Sequence, residues 1–275
     1  MAVALDEISS WQIDNIGYHA DLTHTSNSVK EVARRSILEY YQRYIAKTMP
    51  APEPTPQLIL GLACHAYTLE PGEADSQFAV SPKCDRRTKA GKATWEKFCQ
   101  ESGHKTILTV EQYDTARYMA DAIMENNPAW YLLNDNRGKA EQSVRWVDPL
   151  TNMKLKCRFD WIIDSGPVVD IKTSSDPTPD SWSKSVANYG YHRQQAWYLE
   201  GRWHGLDDPC AEWYFVVVGS EPPHEVIVYK LSPEAVERGR KLPNVQIVGS
   251  QALHLALQWR HSRCLSCDRC VEGDG

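Results

Sequence analysis

Apolar positions recur along the chain with two different periods, and the switch between them marks its organisation. Val29, Val32, Ala33, Ile37, Tyr40, Tyr41 and Tyr44 keep helical spacing from Ser28 to about Lys47, with Ser26 or Ser28 as the cap, and predict one amphipathic helix. Pro50, Pro52, Pro54 and Pro56 then form a short extended linker. A second helix is expected from Gln57 to Glu70, stopped by Pro71-Gly72. Basic side chains gather in residues 85–105 ahead of another helix, and Thr109 with Gln112 has the form of a capping box opening a helix that reaches about Asn126.

Beyond Pro128 the period shortens to two. Residues 140–147 (AEQSVRWV), 153–163 (MKLKCRFDWII) and 167–173 (PVVDIKT) read as strands joined through Asp148-Pro149 and Ser165-Gly166, an antiparallel meander. Helices are expected near 180–188 and 191–203, strands at 211–219 and 224–230, and a helix from Ser232-Pro233-Glu234 that Pro243 kinks. Helices, three strands, helices, two strands and helices in that order predict a single α/β domain with a mixed sheet flanked by helices. Within it, 17–56 is an N-terminal helical segment and linker, 57–230 the core, and 231–275 a C-terminal helical region with a cysteine-rich tail.

Composition narrows the function classes. The 275 residues are 42% hydrophobic and 24% charged, with a formal net charge of -6, which excludes a disordered chain and one that coats nucleic acid through overall charge. Any polyanion site must be a local patch. No apolar run approaches the ~20 residues of a membrane span, and the N-terminus lacks an export signal, so a cytoplasmic protein without disulfides is expected.

The chemistry concentrates in Val168-Val169-Asp170-Ile171-Lys172. On a strand Asp170 and Lys172 share a face, about 7 Å apart, while Val169 and Ile171 anchor the other. Asp160 obeys the same alternation between Phe159 and Trp161, so pairing through Ser165-Gly166 brings two carboxylates and an ammonium to one face. An isolated D-x-K reads as a buried ion pair holding a hairpin. Three further features favour a site: His65 on an apolar helix, Gln194 and Tyr198 at i, i+4 on one helix face, and Glu141 at the start of the preceding strand.

Together with G-L-A-C-H-A-Y-T-L-E-P, D-R-R-T-K-A-G-K-A-T-W-E-K-F, K-C-R-F-D-W, V-V-D-I-K-T and Y-H-R-Q-Q-A-W-Y, these residues resemble the PD-(D/E)XK nuclease superfamily, and within it the RecE-type (exonuclease VIII-like) exonucleases of phages and prophages. The resemblance spans roughly residues 17–205. It implies a restriction-endonuclease-like core, with His65, Asp160, Asp170 and Lys172 as the catalytic set, Gln194 and Tyr198 as the accompanying helix motif, and Glu141 at a position that is often acidic. The implied activity is metal-dependent hydrolysis of linear duplex DNA from the 5′ side. Duplex DNA ends and a single-strand annealing protein are the implied partners; a homo-oligomer is a further candidate, and the setting is the cytoplasm of a bacterial cell or phage-infected host.

Hydrolysis of a phosphodiester suits such residues. Asp160, Asp170 and the Ile171 carbonyl offer hard oxygens to Mg²⁺ or Mn²⁺, with His65 completing a second position. Lys172 would orient water and offset phosphate charge, Gln194 position that lysine or the phosphate, and Tyr198 line the DNA path. Arg86, Arg87, Lys89 and Lys92 form the local basic patch, a DNA-contacting segment or a solvated helix face, in which Thr88 and Gly91 let the backbone approach a phosphate. Trp95 is expected in the core, with stacking on a base as the alternative.

The tail spacing His261-x2-Cys264-x2-Cys267-x2-Cys270 suits zinc, or three ligands of an iron-sulfur cluster with Cys64 as the fourth, or an unpaired thiol-rich end. An iron-sulfur nuclease of the CRISPR-adaptation or helicase-nuclease type and a non-catalytic DNA-binding module derived from a nuclease are the alternative readings.

Overall fold

The structure, a computed structural model, describes residues 9–11, 13 and 15–241. The chain begins with β1 (Ser9–Trp11), α1 (Asn15–Ala20), α2 (Asn27–Arg35) and α3 (Ile37–Tyr40), which runs into a π-helical turn at Tyr41–Ile45. Next come α4 (Pro56–Leu69), α5 (Pro71–Gln77), β2 (Phe78–Val80), α6 (Lys89–Ser102), β3 (Thr106–Leu108), α7 (Val110–Glu125) and α8 (Asn127–Leu133). The long strands β4 (Gly138–Val147), β5 (Lys154–Ile163) and β6 (Val168–Ser174) are followed by α9 (Pro179–Tyr189) and α10 (Tyr191–Leu206). Strands β7 (Trp213–Gly219) and β8 (Val226–Tyr229) and helix α11 (Pro233–Lys241) complete the described chain.

Six strands form one mixed sheet in the order β1-β4-β5-β6-β7-β8, in which only β6 and β7 run parallel. The predicted meander and the crossover through α9 and α10 are both present. β1 escaped the sequence reading because three residues carry no readable period, and the same holds for the small parallel pair β2 and β3.

The expected helix over 28–47 is broken at Ser36. Its backbone is extended (φ −153°, ψ 107°) and its hydroxyl accepts from Glu39 N–H, so one serine ends α2 and caps α3. Pro71 follows the end of α4 as predicted but also opens α5, since a proline at the first helical positions loses nothing. Asn126 likewise caps α8, with Pro128 inside its first turn. The Thr109–Gln112 capping box forms with both hydrogen bonds.

Each face of the sheet packs a separate layer. Val144, Trp146, Leu155, Cys157, Phe159, Trp213 and Phe215 pack with Trp182 of α9 and Trp197 and Leu199 of α10. On the other face Val169, Ile171, Val216 and Val218 meet Cys64 of α4, Met119 and Ile123 of α7, and Leu133 of α8. Buried Arg202 on α10 reaches the Ile163 carbonyl (3.0 Å) and Asp208 (2.6 Å), tying the helix to the β5–β6 turn. At the N-terminus, Lys156 of β5 holds the carbonyls of Tyr18 and Asp21, so α1 is fastened to the sheet.

Helix α10 comes close to the sheet at Gly201, where an added Cβ would lie 2.7 Å from Cys157 Sγ and 2.8 Å from the Trp146 ring. Neither buried neighbour has room to withdraw. Gly201→Ala is therefore expected to destabilise the fold by about 1–3 kcal/mol, the usual cost of overpacking, read as a lower urea midpoint at unchanged slope; an unchanged midpoint would show that α10 can shift outward freely.

Candidate active site

β5 and β6 pair only at Trp161↔Val169 and Ile162↔Val168, and then part, while β6 stays paired to β7 along its whole length. In the opening, the Asp160 carboxylate accepts from the Ile171 N–H at 2.8 Å, taking the place of a strand partner. Strict alternation, the expectation for Asp160, does not hold here. Phe159 and Ile162 pack on the α10 side, whereas Trp161 packs toward α4 and α8, so the side-chain phase breaks at Asp160. Directly opposite, between the pairs Ala140↔Trp161 and Gln142↔Phe159, Glu141 has φ 50°. A glutamate in that left-handed region costs roughly 1–2 kcal/mol.

The break turns both carboxylates toward α4. One ligand atom each from His65, Glu141 and Asp160 lie within 4.8 Å of one another, with His65 Nδ1 3.5 Å from Asp160 Oδ2. Beside them, the Lys172 ammonium rests against Asp170 Oδ2, 3.5 Å from the Ile171 carbonyl and 5.2 Å from the Tyr191 ring centre. Gln194 donates to Asp170 Oδ1 at 2.8 Å. Val169 and Ile171 fill the opposite face, as their alternation requires.

Burial sets the electrostatics. It raises the carboxyl of Asp160 above its usual range against the pull of Lys172, and that of Glu141 with reinforcement from Asp160. Asp170 is pushed up to about 6 by burial, although Lys172 opposes it. Burial pulls Lys172 down, but Asp170 and Asp160 outweigh it and hold the ammonium above its ordinary value. His65 is lowered by burial and by Lys172, which leaves a neutral imidazole available as a ligand. Hard oxygens, a neutral nitrogen and uncompensated buried negative charge together fit a divalent cation.

Six of the sequence-predicted residues therefore converge: His65, Glu141, Asp160, Asp170, Lys172 and Gln194. Asp170 is engaged by Lys172 and Gln194 and stands outside the three-residue ligand group, in which Glu141 takes part. Tyr198 lies lower, its ring edge-on to Phe159 (5.4 Å) and Trp213 (5.7 Å) in the α10 layer rather than along an open path. Arg158 was not anticipated. It grips Glu141 Oε2 at 2.6 Å, and nothing in its spacing distinguishes it from a solvent-facing strand residue.

The basic segment lies at the start of α6, of whose residues only Gly91 and Ser102 are buried. Thr88 and Gly91 do not offer free backbone to a phosphate: the Thr88 hydroxyl accepts from Gly91 N–H as the helix cap, and the Asp85 carbonyl occupies the space over Gly91. Arg87 is held by Asp85 through two 3.0 Å bonds, and Arg86 lies 4.3 Å from the centre of the Trp95 ring. Trp95 is thus half-buried on α6 and not in the core, because the amphipathic face of α6 finds little of the sheet to cover. Lys89 and Lys92 are exposed. Cys64 is fully buried in the α4–α7 layer, its thiol pushed up to about 12 by burial. His261, Cys264, Cys267 and Cys270 lie outside the described residues. Among the described residues no helix is long and apolar enough to cross a membrane.

Residues 35–272 match the profile of a PDDEXK-like domain of unknown function (DUF3799). No curated protein matches the chain. Among solved structures, one from Eubacterium rectale carrying a provisional exonuclease assignment superposes with a TM-score of 0.56 at 13% identity, covering 88% of each chain. A second, SSO0001, overlaps loosely, with a TM-score of 0.29 at 13% identity over 82% of this chain and 85% of its own.

The raised carboxyls give a stability test. Above the unperturbed carboxylate range, near pH 4, these three carboxyls hold more protons in the folded protein than in the unfolded chain, so without divalent metal their contribution to stability falls as pH rises through the raised values. Asp160→Asn keeps the acceptor for Ile171 N–H and removes one of the crowded charges. Urea unfolding in EDTA should find it more stable than the native chain, by a margin larger at pH 8 than at pH 5. A margin that is absent or reversed would mean that Asp160 is stabilised by its neighbours rather than opposed by burial.

Proposed function

Because the chain belongs to the PDDEXK-like domain family (DUF3799), we propose that it is a divalent-metal-dependent nuclease, specifically an exonuclease acting on the ends of linear duplex DNA. The observation that carries this reading is the convergence of His65, Glu141 and Asp160 within 4.8 Å of one another beside the Lys172–Asp170 pair. His65, Glu141 and Asp160 would hold Mg²⁺ or Mn²⁺, which when bound supplies a Lewis acid that acidifies water and offsets charge on the scissile phosphate.

The chain's own groups supply the rest. Lys172, charged and fixed by Asp170, presents a positive group at the mouth of the fork, where it orients water and balances the charge that grows on the phosphate oxygens. Gln194 fixes Asp170, so the lysine has one defined position. Lys89 and Lys92 at the exposed end of α6 meet the DNA backbone, with Arg86 and Trp95 as a cation–aromatic pair beside them. Attack from the 5′ end, transfer of the resulting single strand to an annealing protein and a cytoplasmic setting follow from the likeness to RecE-type enzymes.

End-labelled linear duplexes, with 5′ or 3′ phosphates and with Mg²⁺ or EDTA, test the reading. Mononucleotide release from 5′-phosphorylated ends in Mg²⁺ is expected; no release from any substrate would overturn it. Lys172→Ala should lower turnover on the order of a hundredfold or more while duplex binding in Ca²⁺ persists. A loss confined to binding would make the lysine structural.

For the basic segment, the Lys89→Ala, Lys92→Ala double variant should reduce the slope of log affinity against log salt by about two, roughly 0.9 per lost phosphate contact. An unchanged slope would take α6 out of the DNA site. Arg193, next to Gln194 in sequence, is buried and chelated by Glu31 at 2.9–3.0 Å, so it is no substitute.

A further inference from the structure

Glu141 poses a problem that its own strand does not solve. Its backbone sits at φ 50°, its carboxylate is crowded by Asp160, and yet it takes part in the ligand group with His65. Something must hold it there. The group in contact with it is the Arg158 guanidinium, whose Nε donates to Glu141 Oε2 at 2.6 Å. That guanidinium is itself fixed: Nη1 donates to the Ile13 carbonyl at 2.8 Å and reaches Ser143 Oγ at 3.3 Å. Arg158 stands opposite Ser143 in the β4–β5 ladder, so it approaches Glu141 along a diagonal. Both partners are largely buried, at 13% and 21% side-chain exposure, so the pair is little screened by solvent.

We infer that Arg158 is the positioning residue of the metal group, holding the Glu141 carboxylate in the place from which it meets His65 and Asp160. This rests on the reading of those three side chains as a divalent-cation site. Lys172 rests on Asp170 on one side of the fork and Arg158 on Glu141 on the other, with Asp160 between them. A merely structural Arg158 would fasten residue 13 to the sheet and affect stability alone.

The test is Mn²⁺ affinity, read from the electron paramagnetic resonance of free Mn²⁺, for the native chain, Glu141→Gln, Arg158→Gln, Arg158→Lys and the Glu141→Gln, Arg158→Gln double variant, with folding followed by circular dichroism. Arg158→Gln should weaken Mn²⁺ binding about tenfold or more, the range for losing a hydrogen-bond partner of a ligand. Arg158→Lys should recover only part of it, since an ammonium lacks the planar fork that spans carboxylate, carbonyl and hydroxyl. The double variant should bind no more weakly than Glu141→Gln alone, because Arg158 acts through that residue. Native affinity in Arg158→Gln, or losses that add in the double variant, would overturn the assignment while a loss in Glu141→Gln left the cation site standing. Native affinity in Glu141→Gln, or no Mn²⁺ binding by the native chain, would instead remove the site and this inference with it. If Arg158→Gln does not fold, Arg158→Lys decides: weakened binding with an unchanged melting curve supports the role, and native affinity overturns it.

Discussion

The structure turns on the parting of β5 from β6. Two strands that pair for only two residues leave backbone groups without strand partners, and an unsatisfied buried N–H costs on the order of 1–3 kcal/mol. Asp160 resolves this by placing its own carboxylate on the Ile171 N–H. The same bond that completes the sheet therefore fixes an acidic group in the opening. On the other side of the opening, β6 remains hydrogen-bonded to β7 throughout, so Asp170 and Lys172 are held on a rigid strand.

Around that fork the molecule buries more charge than a hydrophobic core would. Asp170 is almost fully buried, with Lys172 against it and Gln194 bonded to it; Glu141 is held by Arg158, and His65 approaches Asp160 from α4. Removing charges from water is expensive even when they are paired, and here burial leaves three carboxyls above their normal range. An ion seated among them would lower that cost, which is why the charged fork reads as a binding site and not as a stabilising network.

The supporting layers explain why the fork keeps its shape. Helix α10 carries Gln194 and is fitted closely to the sheet at Gly201, while Arg202 ties it to the β5–β6 turn and Arg193 joins it to Glu31 of α2. Lys156 and Arg158 on β5 hold the carbonyls of Tyr18, Asp21 and Ile13, so the N-terminal segment is attached to the strand that bears Asp160. Among the described residues α6 has no comparable anchorage, and its basic end is exposed.

Period and punctuation in the sequence by themselves determined most of the elements: the capping box at Thr109, the three long strands, and the Asp170–Lys172 pair with Val169 and Ile171 behind it. These depend on neighbours within a few residues, where alternation and side-chain caps act directly. They also placed His65 and Gln194 on helices that the tertiary structure brings to the fork. What only the tertiary structure decided is the phase break at Asp160, the left-handed backbone of Glu141 and its capture by Arg158, and the withdrawal of Tyr198 and Cys64 into packed layers. Each of those depends on where two strands part and which helix covers the gap, and such contacts join residues far apart in sequence whose local patterns carry no trace of the meeting.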